Sequence, residues 1–491
     1  MKQYLNSFFF RDPSKWQFWI LVSLVCKGLI FIFILSKHDI NTIPGFWGAT
    51  GGDTDGYITP IDNLIKYGQY SPDFRMPGYG IIYLPFALLF SKPLGPNLLI
   101  IFQFIMAALS VYPLALIARH LFKSAFIFYT TFYLFAVSTY SNLFDSMLLT
   151  ESLSTSFLIF SVFFLLQALK GQRKSRYILS GILLTEVIFM RPVFIPLLAL
   201  YALVIFINQK QTFLPKLLLF LVPFICFEGL WITRNYLSHK KFIPLTVTFI
   251  SPGIEKSYKL PFIIFVQSWG GSWIWWDPTA EIRWFGVKET RLSGMAPLKD
   301  NNISIPDYIY TSKFNLDSLV ILKQQLTNYL SDSAHTISDS IKREELMTII
   351  RNKCNLYAQS IKYEKPFLYY IKAPLVITKK FLVHSGTYNL FDKSASELSP
   401  VAYVFKIFYS LLYLLVIGLG IIGLLLLTKQ SISFASLILI TGTTIYCIII
   451  HPIILRYSEA RYLVPVYPFM IICVACTVNW IYIKFRVKRS T

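Results

Sequence analysis

What most constrains this chain is a series of apolar runs, each long enough, or nearly so, to cross a lipid bilayer. A spanning helix needs roughly 17–25 mainly apolar residues, because the hydrocarbon core is about 30 Å thick and a helix rises about 1.5 Å per residue. Runs of this kind lie at 16–36, 96–118, 124–142, 147–169, 177–190, 193–208, 215–233, 401–427, 431–450 and 462–483. The expected fold class is therefore an α-helical polytopic membrane protein with about ten transmembrane helices. The fifth and sixth runs are short, and Pro192 between them predicts a tight hairpin near the membrane surface. Composition agrees: 55% of the 491 residues are hydrophobic, 14% are charged, and the mean hydropathy is +0.55. A chain of this length cannot bury so much apolar surface in its own core, so lipid must solvate part of it. No small-x-small cleavage pattern follows the run from Trp16 to Ser36, so this run is expected to stay as an anchor.

The formal net charge of +21 invites a nucleic-acid partner. The placement of the charges argues against one, because they fall mostly in short segments between the apolar runs, as topology charges do. With the N-terminus inside, the inner segments carry Lys2, Arg11, Lys15, Arg119, Lys123, Lys170, Arg173, Lys174, Arg176, Lys210, Lys216, Lys429 and the basic tail from Lys484 to Arg489, with Asp12 their one acidic residue. The outer turns hold few basic residues, chiefly Arg191, Arg456 and Arg461. The positive-inside rule then selects an even number of spans with both ends cytoplasmic. The expected location is a multi-pass cell membrane protein of the bacterial inner or plasma membrane.

Two outer segments are long. In the first, about 37–96, residues 57–68 read as a short amphipathic helix. The apolar stretch Gly78–Phe90 is too short to span and is interrupted by Pro85, so it reads as interfacial or re-entrant; if it spanned instead, the parity of the topology would break. The second, 234–400, is long enough for a folded domain, mixed or mainly helical. The organisation expected is a transmembrane module at 1–233 with a catalytic first outer loop at 37–96, an extracytoplasmic domain at 234–400, and a closing transmembrane module at 401–491. Of six cysteines only Cys354 lies in a polar region, which excludes a disulfide framework there; Cys473 and Cys476 sit within a span and read as small buried residues.

In this orientation the notable charged residues share the outer face. Asp53 and Asp55 lie in GGDTDGY, Arg75 in RMPGYG, Asp145 and Glu151 in FDSMLLTES, Arg191 in MRP, Arg234 in WITRNY, and His451, Arg456, Glu459 and Arg461 in HPIILRYSEARYLVP. Ionisable groups at span edges are costly to desolvate and are functional candidates. A carboxylate can take a proton from an acceptor hydroxyl, and arginines can hold a phosphate leaving group. Together with a donor dissolved in the membrane, these parts describe glycosyl transfer from a lipid phosphate. Each residue also has a plainer reading. Asp53 or Asp55 can cap the helix that begins near Tyr57. Glu151 can serve as an interhelical hydrogen-bonding group, Arg191 and Arg234 as headgroup anchors, and Glu459 with Arg461 as a local ion pair. WGGSWIWW, Trp269 to Trp276, with Trp284 nearby, reads as interface anchoring or packing, with sugar contact as the alternative. Asp53-Thr-Asp55 has the form of a DxD motif, which keeps a divalent cation as a candidate cofactor; no Walker loop, HExxH or dinucleotide fingerprint is present.

The order of these motifs resembles the bacterial polyprenyl-phosphate-sugar-dependent glycosyltransferases of the GT-C fold, relatives of protein O-mannosyltransferases and aminoarabinose transferases. The likeness covers roughly 45–245 and 450–470. It implies a catalytic carboxylate in the first outer loop, where Asp53 with Tyr57 fits best and Asp55 is the alternate. It implies inversion at the anomeric carbon, no nucleotide sugar, and a polyprenyl-phosphate sugar donor. The acceptor is a lipid, a glycan or a protein. The roles expected on this reading are Asp53, Asp55 and Glu151 for catalysis, and Tyr57, Arg75, Arg191, Arg234, Glu459 and Arg461 for substrate or phosphate. Membrane lipids are expected partners and nucleic acid is not. The alternatives are an oligosaccharide ligase or polymerase, a membrane transporter, or a non-catalytic assembly subunit.

Overall fold

The computed structural model describes residues 11–36, 43–171, 173–246, 257–271, 306–331, 337–387, 390 and 397–488. The described secondary structure is helical and forms no sheet; among the described residues one β-bridge pairs Ala49 with Met147. The chain divides into two compact units. One comprises Met1–Val247, Ser385–Cys447 and Arg461–Thr491, the other Thr248–His384 and Ile448–Ala460.

In the first unit the helices are α1 (Trp16–Leu35), α2 (Thr54–Tyr67), α3 (Gly78–Leu89), α4 (Leu94–Phe122), α5 (Ala125–Val137), α6 (Glu151–Gly171), α7 (Lys174–Met190), α8 (Pro196–Asn208) and α9 (Phe213–His239). Among the described residues seven helices are long and apolar enough to cross a membrane: Trp16–Leu35, Leu94–Phe122, Glu151–Gly171, Lys210–His239, Pro400–Leu427, Phe434–Leu455 and Tyr467–Lys484. Shorter apolar helices account for the remaining runs at 124–142 and 193–208, and the 17-residue α7 for that at 177–190. As the proline implied, Pro192–Phe194 forms a single 3-10 turn between α7 and α8. The stretch around Pro85 forms the 12-residue helix α3, which at about 1.5 Å per residue is shorter than the hydrocarbon core.

The run at 124–142 stops early as an α-helix. Helix α5 ends at Val137, and a four-residue helix and a 3-10 turn carry the chain to Ser146. Polar side chains hold this bend inside the bundle. Lys27, 1% exposed in the middle of α1, reaches both Asn142 and Asp145, at 3.4 Å from the Asp145 carboxylate. Ser152 donates to the other Asp145 oxygen at 2.6 Å. Gln103 of α4 donates to the carbonyls of Asp145 and Met147, and Tyr79 donates to Gln103. A buried charge is tolerated only when paired and hydrogen-bonded in this way. The lattice fixes where α6 begins, and so where Glu151 stands.

Two glycines in the motifs permit close approaches. A Cβ on Gly78 would lie 2.6 Å from the backbone of Phe189 and Met190, so RMPGYG packs directly on the end of α7 beside Arg191. A Cβ on Gly56 would lie 2.8 Å from Arg75 Nε, so the last glycine of GGDTDGY makes room for that guanidinium. Replacing Gly78 by Val is expected to destabilise the protein by about 1–3 kcal/mol, since the backbone must give way. Thermal unfolding in detergent checks this.

After the second unit the first resumes with α14 (Pro400–Leu427), α15 (Phe434–Ile449, through Cys447) and α16 (Tyr467–Lys488). The second unit contains α10 (Lys259–Ser268), α11 (Leu316–Ser331), α12 (Ile337–Glu364) and α13 (Ala373–Leu382) around an apolar core that includes Phe262, Phe265, Phe314, Leu322 and Tyr357. Its described secondary structure is all helical, and its limits differ from 234–400: the first unit runs on through α9 to Val247, and 448–460 joins the second. Trp269 is buried in this core, which matches the packing reading; Trp273, Trp275, Trp276 and Trp284 lie outside the described residues. Arg456 donates to the carbonyls of Gln267 and Tyr369 and lies 3.8 Å from the Tyr369 ring centroid. The six cysteines are unbridged, and Cys473 and Cys476 are buried.

Candidate active site

Asp53 occupies the N-cap position of α2, yet its side chain makes no capping hydrogen bond. Neighbouring groups stabilise the turn instead: Gly51 donates to the Thr54 hydroxyl, which donates to the Leu148 carbonyl. The Asp53 carboxylate lies between two guanidinium groups. Arg75 donates to one oxygen and Arg461 to the other at 2.7 Å. Arg75 also donates to the Tyr57 hydroxyl at 2.9 Å. Asp55, two residues along α2, is exposed and takes no part in these contacts. Side chains two positions apart on a helix differ by about 200° in direction, so the two aspartates cannot face the same partners.

Glu151 starts α6 and is 2% exposed. Arg191, 7% exposed at the end of α7, places Nη1 2.9 Å from Glu151 Oε1, and Arg461 Nε lies 3.7 Å from the same oxygen. The Arg191 contact has ion-pair distance without hydrogen-bond alignment, and Glu151 Oε2 accepts no hydrogen bond from the described residues. Buried polar atoms are nearly always partnered, so an orphan oxygen beside an ion-pair network is a candidate contact for a ligand. The ring of Tyr462 lies against Arg191 and Arg461, at 4.9 and 5.4 Å.

Arg461 thus touches both carboxylates, joining the loop that holds Asp53 to a segment 408 residues away. Five sequence candidates, Asp53, Arg75, Glu151, Arg191 and Arg461, form one network, and Tyr57 flanks it. Three guanidinium groups meet two carboxylates, leaving one surplus positive charge. Burial works to raise the Asp53 pKa, but the charges of Arg461 and Arg75 outweigh it and hold the carboxyl below its ordinary value of 3.8. A group with a depressed folded pKa contributes stability above its unfolded value, and that contribution is lost as pH falls through the folded value. The gap in unfolding midpoint between wild type and Asp53→Asn is therefore expected to stay constant from pH 5 to 8 and to narrow only below about 3.8.

Arg234 stands in a neighbouring cluster. It donates to Asp73 at 2.6 Å and to the Tyr70 carbonyl at 2.7 Å, and His239 pairs with the same Asp73 oxygen. The segment from Tyr70 to Arg75 joins the two clusters, with the Tyr70 hydroxyl donating to the Arg75 carbonyl. Burial would raise the Asp73 pKa, and the hydrogen bonds from Arg234 and His239 bring it below the ordinary value. Glu459 belongs to the second compact unit.

A divalent cation does not fit the DxD pair as arranged. Both Asp53 oxygens are held by arginines, Asp55 faces elsewhere, and no three His, Cys, Asp or Glu groups cluster for a metal among the described residues. Sequence reasoning passed over Lys27, Gln103, Asp73, His239 and Tyr462. Lys27 did carry a signal, since a lysine in the middle of an apolar span requires a partner.

No protein-family model and no curated protein matches the chain. Among solved structures the fold is similar to an archaeal oligosaccharyltransferase, AglB from Archaeoglobus fulgidus, in complex with an inhibitory peptide and a dolichol-phosphate (TM-score 0.47, 10% identity, 96% of this chain and 51% of that one). It is similar to the apo form of the Archaeoglobus fulgidus oligosaccharyltransferase (TM-score 0.42, 12% identity, 96% and 52%). It is also similar to ArnT from Cupriavidus metallidurans bound to undecaprenyl phosphate (TM-score 0.36, 13% identity, 94% and 77%). The chain spans about half the length of the two oligosaccharyltransferase chains.

Proposed function

We propose that this chain is an integral-membrane glycosyltransferase that moves a sugar from a polyprenyl-phosphate donor to a hydroxyl acceptor on the extracytoplasmic face. One observation carries the reading: Arg461 joins Asp53 to Glu151 in a network with one more arginine than carboxylate. The surplus charge suits a phosphate leaving group. Donor phosphate competes with Asp53 for Arg75 and Arg461, and as they turn to it the carboxylate is released as a base. The acceptor oxygen then forms its bond to the anomeric carbon from the side opposite the phosphate. The carbon–oxygen bond to phosphate breaks with both electrons leaving on that oxygen. The acceptor proton passes to Asp53, and the configuration inverts. Glu151, through its unpaired oxygen, orients the acceptor, and Arg191 holds its other oxygen at 2.9 Å.

The test is transfer by the purified full chain from synthetic short-chain polyprenyl-phosphate sugars, read by mass spectrometry. Glycolipids and surface glycans of cells with and without the gene are compared in parallel. Single-sugar transfer with inversion supports the reading. Transfer of preassembled glycans alone assigns the chain to the ligases. Substrate movement across proteoliposomes without bond formation assigns it to the transporters.

A further inference from the structure

The ends of α4 and α6 farthest from Asp53 hold a second site. Glu151 opens α6 and Lys170 lies in its last turn. At about 1.5 Å per residue the two are about 28 Å apart, close to one hydrocarbon thickness. Between these ends lies a cavity of ≈ 460 Å³, lined by Arg119, His120 and Lys123 from the end of α4 and by Phe163, Gln167 and Lys170 from α6. Arg176 closes on it by donating to the Gln167 carbonyl. We propose that this cavity binds the phosphate headgroup of an anionic membrane lipid.

Three features select that ligand. The lining combines Arg119, Lys123 and Lys170 with the apolar Leu116, Phe163 and Leu166, so a phosphate and the first carbons of an acyl chain are both accommodated. The helix ends meeting here are C-terminal and contribute about half a negative charge each, which the full charges of Arg119, Lys123 and Lys170 outweigh. Asp12 is the carboxylate within electrostatic reach of Arg119, and both its oxygens are engaged by Ser14. The depth is also right. The Tyr112 and Tyr129 hydroxyls donate to the carbonyls of Pro13 and Arg11, and Trp16 is exposed at the start of α1, aromatics of the kind enriched at membrane–water interfaces. Topology charges alone need no cavity, and Lys210 and Lys429, on the same face by the charge rule, serve as the comparison.

The experiment measures lipid retention by the full chain, using native mass spectrometry after transfer from nanodiscs of phosphatidylcholine mixed with phosphatidylglycerol. Wild type is expected to retain phosphatidylglycerol selectively. Lys123→Gln with Lys170→Gln should weaken retention on the order of 30-fold, two charges each worth about fivefold. Lys210→Gln with Lys429→Gln should leave it unchanged. Lys123→Arg with Lys170→Arg, which keeps charge and topology, should bind as wild type and separates loss of the site from loss of the fold. Equal weakening by both glutamine pairs overturns the proposal, as does retention without headgroup preference. Displacement of phosphatidylglycerol by inorganic phosphate at equal concentration also overturns it, since the site would then serve free phosphate. The readout is binding, so it stands apart from the outcome of the transfer assay.

Discussion

Replacing Asp53 by Asn is expected to lower transfer from a polyprenyl-phosphate sugar by about 10²–10⁴-fold, the usual contribution of a positioned base, while Asp55→Asn retains activity within about twofold. The contrast between the two variants matters more than either alone. Both aspartates lie in GGDTDGY, but only Asp53 is gripped by Arg75 and Arg461. Asn keeps the volume of Asp53 and a hydrogen-bonding oxygen, so insertion is expected to be normal. It removes the proton-accepting charge and frees both arginines. Affinity for the donor phosphate should therefore hold or rise while turnover falls. Steady-state kinetics on the two purified variants decide the matter. Full activity in Asp53→Asn, or loss confined to Asp55→Asn, would remove Asp53 from the mechanism.

The second large effect concerns Glu151 and Arg191. Arg191→Met leaves a carboxylate that is 2% exposed with Arg461 as its remaining charged neighbour, at 3.7 Å. Breaking a buried pair from one side costs about 3–5 kcal/mol, whereas replacing both partners by neutral groups of similar volume is often close to neutral. The double variant Glu151→Gln with Arg191→Met is expected to recover most of the stability lost by Arg191→Met. Activity should stay low in both, because the double variant restores packing and not the carboxylate proposed to orient the acceptor. Unfolding midpoints and transfer rates measured on the same preparations check this. A double variant no more stable than Arg191→Met would mean that the pair does not carry the energy assigned to it.

These expectations separate what was legible along the chain from what was not. RMPGYG and MRP could each be read as a motif, but nothing in either string says that Gly78 packs on Met190 and brings Arg75 and Arg191 to one place. WITRNY looked like part of the same set, yet Arg234 pairs with Asp73, whose carboxylate His239 also holds. Asp73 and His239 sit in SPDFR and LSH, stretches with no hydrophobic period or motif to draw notice. The early end of α5 was hidden for a related reason. Hydropathy averages over a window and reads the chain to Asn142 as one span, while the bend there depends on single polar contacts to Lys27 and Gln103.

The apolar runs determined by themselves that this is a helical membrane protein, and the charges between them predicted its direction. Both follow from transfer free energies that belong to each segment alone, whatever it packs against. The short helix at Gly78 and the hairpin at Pro192 were legible for the same reason, since length and proline chemistry are local. Only the tertiary structure put Asp53 and not Asp55 between two arginines, set Arg234 apart, and brought Arg461 to a carboxylate 408 residues away. Those outcomes depend on which helix faces meet, and a rotation of about 100° per residue turns a neighbour in sequence into a group on another face.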